Sequence, residues 1–401
     1  MKTAVIGGGA AGFFLAICLK ERMPKMEVTI FERSRRVLAK VAVSGGGRCN
    51  CTNSFAHVSD LSQVYPRGHR LLKRLFHEFD HRSAYRWFEG HGIRLVTQDD
   101  DCVFPATQSS QTVIDCFTAT ARRLGIHIET GRPVESVSDV DNFDFVAVTT
   151  GGQPQAKGLQ WLADMGHRIE PPVPSLFSFT VKGLEQLMGI VADSAVCHIP
   201  GTKLRTQGPL LITHWGMSGP AILKLSSHAA RLLADNNYHM PLSINWTGDS
   251  EAAVIERLYE GIATMSTRQV ANARALPLPS RLWNHLVEKA GVRKEIRWGD
   301  VNKKEVNRLS SVLTNATYDI SGRAPFKDEF VTCGGVSLQS VNPSTMESRL
   351  RPGLYFAGEV LDVDGVTGGF NFQAAWTTAY CAARAIAASA AGPDQEESLR
   401  L

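Results

Sequence analysis

The sequence lacks a CxxC pair. Its eight cysteines, at positions 18, 49, 51, 102, 116, 197, 333 and 381, are scattered. Only Cys49 and Cys51 are close, and no cluster of His or Cys accompanies them. That argues against a zinc site or any other metal centre and against a disulfide framework, and it fits a reducing cytoplasm. Net charge is also scarce, at +4 over 401 residues, which tolerates an anionic cofactor or an RNA partner without demanding either. Long apolar runs are missing. The stretch AAWTTAYCAARAIAASAA is broken by Arg384 and threonines, and it is shorter than the ~20 apolar residues a membrane span needs. A buried helix is expected there, and no membrane association. The N-terminal MKTAVIGGGAAGFFLAICLK has an early lysine and an apolar run, but a secretory signal has no use for three consecutive glycines. There are no internal repeats and no low-complexity segment.

What is present reads as an α/β chain of two or three domains, at about 150 residues per domain. Residues 2–6 read as a buried strand, 10–22 as a helix and 27–31 as a second strand ending at Glu32, a β–α–β unit suited to a parallel sheet. A Gly/Ser/Asn-rich loop is expected over 44–54, one helix over 68–90, another over 110–124, a strand in HIETGRPVESV and a further strand over 143–149. EPPVPS (170–175) reads as a proline-rich hinge. Strand-like runs (LFSFTV, PLLITHW, MPLSINW) and a charged helical stretch from about 250 to 315 follow. FVTCGGVSL, GLYFAGEV and a final helix from about 370 complete the chain. The pattern predicts a discontinuous cofactor domain, 1–169 with 326–401, carrying an inserted β-plus-helical domain over 170–325.

Three glycine-built motifs carry the chemistry. GGGAAG places glycines at 7, 9 and 12, between strand and helix. Gly7 permits the tight turn, Gly9 lets backbone approach a pyrophosphate at the helix N-terminus, and Gly12 allows close packing of helix on strand, with Ala16 keeping the same face small. Glu32, twenty residues after Gly12, is placed to accept hydrogen bonds from an adenosine ribose and to repel a 2′-phosphate. This Rossmann-type signal fits NAD and FAD alike. The second motif, KVAVSGGGRCN (40–50), lies where a simple dehydrogenase would build its next helix and strand. Backbone at Ser44, Gly46, Gly47 and Asn50 can line a pyrophosphate and a flavin ring, while Lys40 and Arg48 offset negative charge, which favours FAD. The third motif, GLYFAGEVLDVDGVTGGFNFQAA (353–375), delivers Gly358 and Glu359 from a strand and passes Asp362 and Asp364. It then opens the last helix with Gly368 and Gly369. A second helix N-terminus aimed at the cofactor would stabilise the negative charge a reduced flavin gathers, with backbone at Asn371 and Phe372 against the ring.

On these residues the chain resembles the BaiN/YhiN-type flavoproteins, also labelled the aminoacetone oxidase family of FAD-binding enzymes. The matching stretches are GGGAAG, SGGGRCNCTN, THWGMSGPAIL, CGGVSL with TMESRL, and GLYFAGEVLDVDGVTGGFNFQAA, in the family's order from residue 7 to residue 375. The resemblance implies a two-dinucleotide-binding-type FAD domain with an inserted domain of small β structure and helices. It also implies that Ala11, Glu32, Lys40, Val134, Glu359, Asn371 and Phe372 sit against FAD, Val134 through its backbone next to the adenine. Two departures stand out: QPQAKGLQW follows Gly151 and Gly152 in place of a Ser/Thr-Gly-rich run, and Ala39 replaces a basic residue.

For proton transfer the candidates are His214, in a loop of the insert able to close over the flavin, and Cys49, each weighed against a merely structural role. The expected activity is FAD-dependent oxidation or reduction of an unidentified small molecule held between the cofactor domain and the insert. By resemblance the reductant is NAD(P)H. No second GxGxxG lies between 150 and 330, so the nicotinamide would visit transiently. Two alternatives stand beside this: flavin-dependent reduction of uridine in ribosomal RNA, helped by a basic stripe at 70, 74, 77 and 81 on one helix, and a non-enzymatic flavin-binding redox sensor.

Overall fold

The computed structural model describes residues 1–153, 155–324 and 331–391. The chain divides into two compact units, Met1–Val173 with Val331–Leu401, and Pro174–Phe330. The expected return to the cofactor domain near 325–326 lies outside the described residues.

The first unit begins with strand β1 (Lys2–Ile6), helix α1 (Ala10–Arg22) and strand β2 (Glu27–Glu32). Residues 11–19 of α1 are all buried, as suits a helix lying under a second layer of helix. Next comes α2 (Ala39–Gly47), where a loop was expected from residue 44. A helical turn precedes the glycines, and the chain departs from helix at Ser44, Gly45 and Gly46. After β3 (Thr52–Asn53), the single helix expected over 68–90 is two, α3 (His69–Leu75) and α4 (His81–Gly90). The cause is local: the Asp80 carboxylate accepts from Ser83 N–H at 2.8 Å, an N-cap that starts a new helix rather than continuing the old one. The basic residues at 70, 74, 77 and 81 therefore do not share one helical stripe. Arg70 and Arg74 are exposed on α3, His77 lies in the connection, and His81 is half-buried against Phe55, with 4.9 Å between ring centres.

Then follow β4 (Leu95–Thr97), β5 (Cys102–Pro105), α5 (Ser110–Arg123), β6 (His127–Thr130), β7 (Phe145–Val148), α6 (Gln160–Asp164) and β8 (Ile169–Ser175). The proline-rich hinge is thus a strand. It forms only a two-stranded ribbon, where prolines, which cannot donate to a ladder, are tolerated. The strand expected to run through residue 137 stops at Thr130.

The second unit holds β9 (Phe179–Thr180), β10 (Val191–His198), β11 (Arg205–Ile212), β12 (Gly216–Ser218), α7 (Pro220–His228), α8 (Ala230–Asp235), β13 (His239–Asn245), α9 (Glu251–Thr264), α10 (Ser280–Lys289), α11 (Lys303–Asn315) and β14 (Ala316–Arg323). Six strands close a barrel in the order β10-β11-β12-β9-β14-β13. Trp246, Trp283 and Trp298 are buried in the core of this unit, and two of them keep a hydrogen bond there: Trp283 Nε1 to Val270 O and Trp298 Nε1 to Ala273 O, both 2.7 Å.

The chain returns with β15 (Val331–Val336), which pairs with β8, then β16 (Leu354–Phe356) and α12 (Phe370–Ala391). The main sheet, β16-β7-β1-β2-β6, is parallel throughout, with α12 packed along α1. In such sheets ligands sit outside the carboxyl ends of the strands, where all three glycine motifs lie. Among the described residues no helix is long and apolar enough to cross a membrane.

Candidate functional site

At the carboxyl end of β1 the three glycines do different work. Gly7 N–H donates to Phe31 O at 2.8 Å, and its φ of +114° leaves no room for a side chain, since a Cβ would lie 2.4 Å from Thr149 O. A Cβ on Gly12 would lie 2.0 Å from Gly7 O, whereas one on Gly9 would meet nothing within 4 Å. Gly9 is the N-cap of α1, with no side-chain cap and no acidic residue in the first turn. The N–H groups that open this helix are thus free of any side-chain competitor for an anion. Glu32 stands beside them. Its Oε2 accepts from Gly8 N–H and its Oε1 from Ser34 N–H, both at 2.8 Å. Val134 follows β6, half-buried, in a segment tied to this corner by Arg132 N–H donating to Glu32 O at 2.9 Å.

The second motif is a left-handed glycine run, with φ between +55° and +84° at Gly45, Gly46 and Gly47. Cβ atoms on Gly46 and Gly47 would meet nothing within 4 Å, but one on Gly45 would strike the Phe104 ring at 2.9 Å. Ser44 Oγ donates to Val41 O at 2.8 Å. Arg48 reaches back to Gly45 O at 3.1 Å and lies 4.1 Å over the Phe104 ring, so its guanidinium braces the loop. Asn50 Oδ1 accepts from Val103 N–H at 3.3 Å.

The third motif meets both others. A Cβ on Gly358 would lie 2.7 Å from Ala11 Cβ, and one on Gly369 would lie 2.2 Å from Thr52 O and 2.7 Å from Asn50 Oδ1. Lys40 Nζ pairs with Glu359 Oε2 at 2.9 Å, and Glu359 Oε1 accepts from Thr332 N–H at 2.8 Å. Gly152 packs on the same carboxylate, and Gly151 beside it has φ +73°. Asp362 is half-buried, its N–H donating to Val336 O at 3.0 Å. Asn371 exchanges two hydrogen bonds with the peptide of Gly365, each 2.8 Å. Phe372 stacks on Trp376, 5.4 Å between centres.

Several residues that shape the site escape any short-range pattern. Thr52 Oγ1 donates to Gln373 Oε1 at 2.6 Å, Gln373 Nε2 to Thr377 Oγ1 at 3.0 Å and Thr377 Oγ1 to Phe79 O at 2.8 Å, a fully buried chain tying β3 to α12. The Arg67–Asp364 pair spans a similar separation, while Thr332 N–H reaches Glu359 from 27 residues away. Repeated apolar spacing gives no hint of them.

Of the proton-transfer candidates, Cys49 is fully buried at φ +61°, its sulfur 3.9 Å from that of Cys51. The Cys51 thiol is pushed well up by Cys49 and by burial, and burial pushes Cys102 up to about 11. A thiolate is therefore disfavoured at Cys51 and at Cys102. His214 is exposed in the second unit, on the tight turn between β11 and β12, with its ring 4.1 Å from that of Trp215.

The residues present fit FAD: open-faced glycines at 9, 46 and 47, a helix start without a side-chain cap, and a fixed carboxylate at the end of β2. The family model described as the HI0933-like protein Rossmann domain matches residues 1–385. The chain is 26% identical over 409 residues to the 3-dehydro-bile acid delta(4,6)-reductase of Clostridium scindens, covering 96% of this chain and 99% of the relative. It is 28% identical over 416 residues to the ribosomal RNA dihydrouridine synthase of Escherichia coli (96% and 98%). To that of Haemophilus influenzae it is 27% identical over 409 residues (95% and 97%). The chain belongs to the HI0933-like Rossmann family of flavoprotein oxidoreductases.

Proposed function

We propose that the protein reduces a carbon–carbon double bond conjugated to a carbonyl, drawing electrons from NADH or NADPH by way of FAD. The observation that carries the flavin part is the meeting of three distant glycine turns, Gly358 on Ala11 and Gly369 on Thr52, with Lys40 paired to Glu359. The relatives' names suggest the reaction class. A delta(4,6) 3-dehydro bile acid and a uridine base both present an alkene polarised by a carbonyl.

When bound, FAD supplies two-electron hydride transfer. The chain's part is to bind, orient and deliver a proton. Gly9 and the first turn of α1 would hold the pyrophosphate, and Glu32 would hold the adenosine ribose. The start of α12, with Asn371 and Phe372, would offer a partial positive charge to the ring. The exposed His214 imidazole of the second unit is the chain's proposed proton donor. Free, mostly buried cysteines suit a reducing compartment such as the cytoplasm.

A second reading names uridine in ribosomal RNA as the substrate. It is favoured by the exposed Arg70, Lys73 and Arg74 on α3, a cationic face for a phosphate backbone. Anaerobic mixing with each nicotinamide tests the main reading: the flavin band bleaches with one of them and returns on adding a conjugated enone. Inertness toward both nicotinamides overturns it. For the second reading, changing Arg70, Lys73 and Arg74 to Glu is expected to abolish RNA binding at low salt while enone reduction persists. RNA binding insensitive to salt and to these changes contradicts it.

A further inference from the structure

The loop before α12 is gripped by a segment that belongs to none of the glycine motifs. Residues 64–68 meet residues 363–370 at four points. Val366 N–H donates to Val64 O at 2.8 Å. Tyr65 Oη donates to Phe370 O at 2.8 Å. A Cβ on Gly68 would fall 2.6 Å from a methyl of Val363. Arg67 places Nε on one carboxylate oxygen of Asp364 and Nη2 on the other.

Asp364 is fully buried, and the Arg67 side chain is 15% exposed. Burying such a pair is costly, and a well-packed apolar pair of similar volume often gives equal or greater stability. A charged clamp here calls for a reason beyond holding the fold. The two-point fork supplies one: it fixes direction as well as distance. What it fixes is the loop that carries Gly369 and leads into Asn371 and Phe372 at the start of α12, and its far end is closed by the Asn371–Gly365 bonds.

We propose that Arg67 is a positioning residue: by pinning Asp364 it holds the loop 364–371 in its cofactor-binding shape. It thereby sets both the affinity for FAD and the reduction potential of the bound flavin. This rests on the flavin reading above. If the loop samples its competent shape only part of the time, apparent affinity falls by that fraction.

The test uses the full chain with R67M, R67K and the double variant R67M/D364L. Three readouts are taken: the thermal midpoint without cofactor, FAD affinity by fluorescence titration, and flavin potential by equilibration with reference dyes. R67M is expected to melt earlier and to bind FAD about tenfold more weakly, as when the competent fraction drops to about a tenth. R67K is expected to fall between R67M and wild type. The double variant, free of a lone buried charge, should recover the midpoint but neither the affinity nor the wild-type potential. If it recovers all three, or if R67M binds as tightly as wild type, the pair is a structural staple and the inference is wrong. A wild-type chain that takes up no FAD overturns the flavin reading itself.

Discussion

Gly9 and Gly12 stand three positions apart and respond oppositely to an added methyl group. At Gly12 the methyl meets backbone at 2.0 Å, so G12A is expected to cost about 1–3 kcal/mol through overpacking, read as a lower thermal midpoint. At Gly9 the φ of −92° suits any residue and the space is open. G9A should therefore leave stability within about 0.5 kcal/mol of wild type while weakening FAD binding, seen by titration. Equal stability losses in both variants would contradict the division of labour. The close packing at Gly12 and the open space at Gly9 were legible in the sequence because the spacing of GxGxxG encodes backbone geometry directly. The Arg67–Asp364 and Thr52–Gln373 contacts were not, because their partners lie about three hundred residues apart and their chemistry is common in loops. The expectation for Arg48 was charge compensation. The structure gives it a bracing role through Gly45 O and the Phe104 ring.

His91 links α4 to α1, with Nε2 2.8 Å from Glu21 Oε1, Nδ1 2.7 Å from Trp87 O, and its ring stacked on Trp87. Two acceptors at two ring nitrogens call for the doubly protonated ring. Burial opposes that charge, but the Glu21 carboxylate and the Trp87 carbonyl outweigh it, and the pKa is raised above 6.5. The folded form thus holds the proton more tightly than the unfolded one. Its stabilising contribution is complete below the unfolded value and is lost as pH rises through the raised folded value. The midpoint difference between wild type and H91Q is accordingly expected to be largest at acidic pH and to shrink as pH rises, while a pH-independent difference would rule the link out. Elements built on strong local signals, β1, α1, β2, α5 and α12, follow the sequence reading closely. Those decided by one side chain or by a distant strand partner do not: Asp80 splits one apparent helix into two, and pairing with β15 turns an apparent hinge at 170–175 into β8.

For the molecule as a whole, the parallel sheet was readable from the β–α–β spacing. The closed barrel of the second unit was not. Two of its strands, Phe179–Thr180 and Gly216–Ser218, are too short to show alternation, and closure depends on β13 pairing with β10 across a long stretch of chain. A cofactor that binds only the folded chain must stabilise it, by about 2.7 kcal/mol when free FAD is at ~100 times its dissociation constant. The unfolding midpoint should therefore climb steadily with added FAD. The most direct test is to titrate the cofactor-free chain with FAD at micromolar concentration and follow quenching of flavin fluorescence. The account predicts saturation at one FAD per chain and a yellow complex that survives gel filtration. A colourless protein that leaves the fluorescence of added FAD unchanged would contradict it.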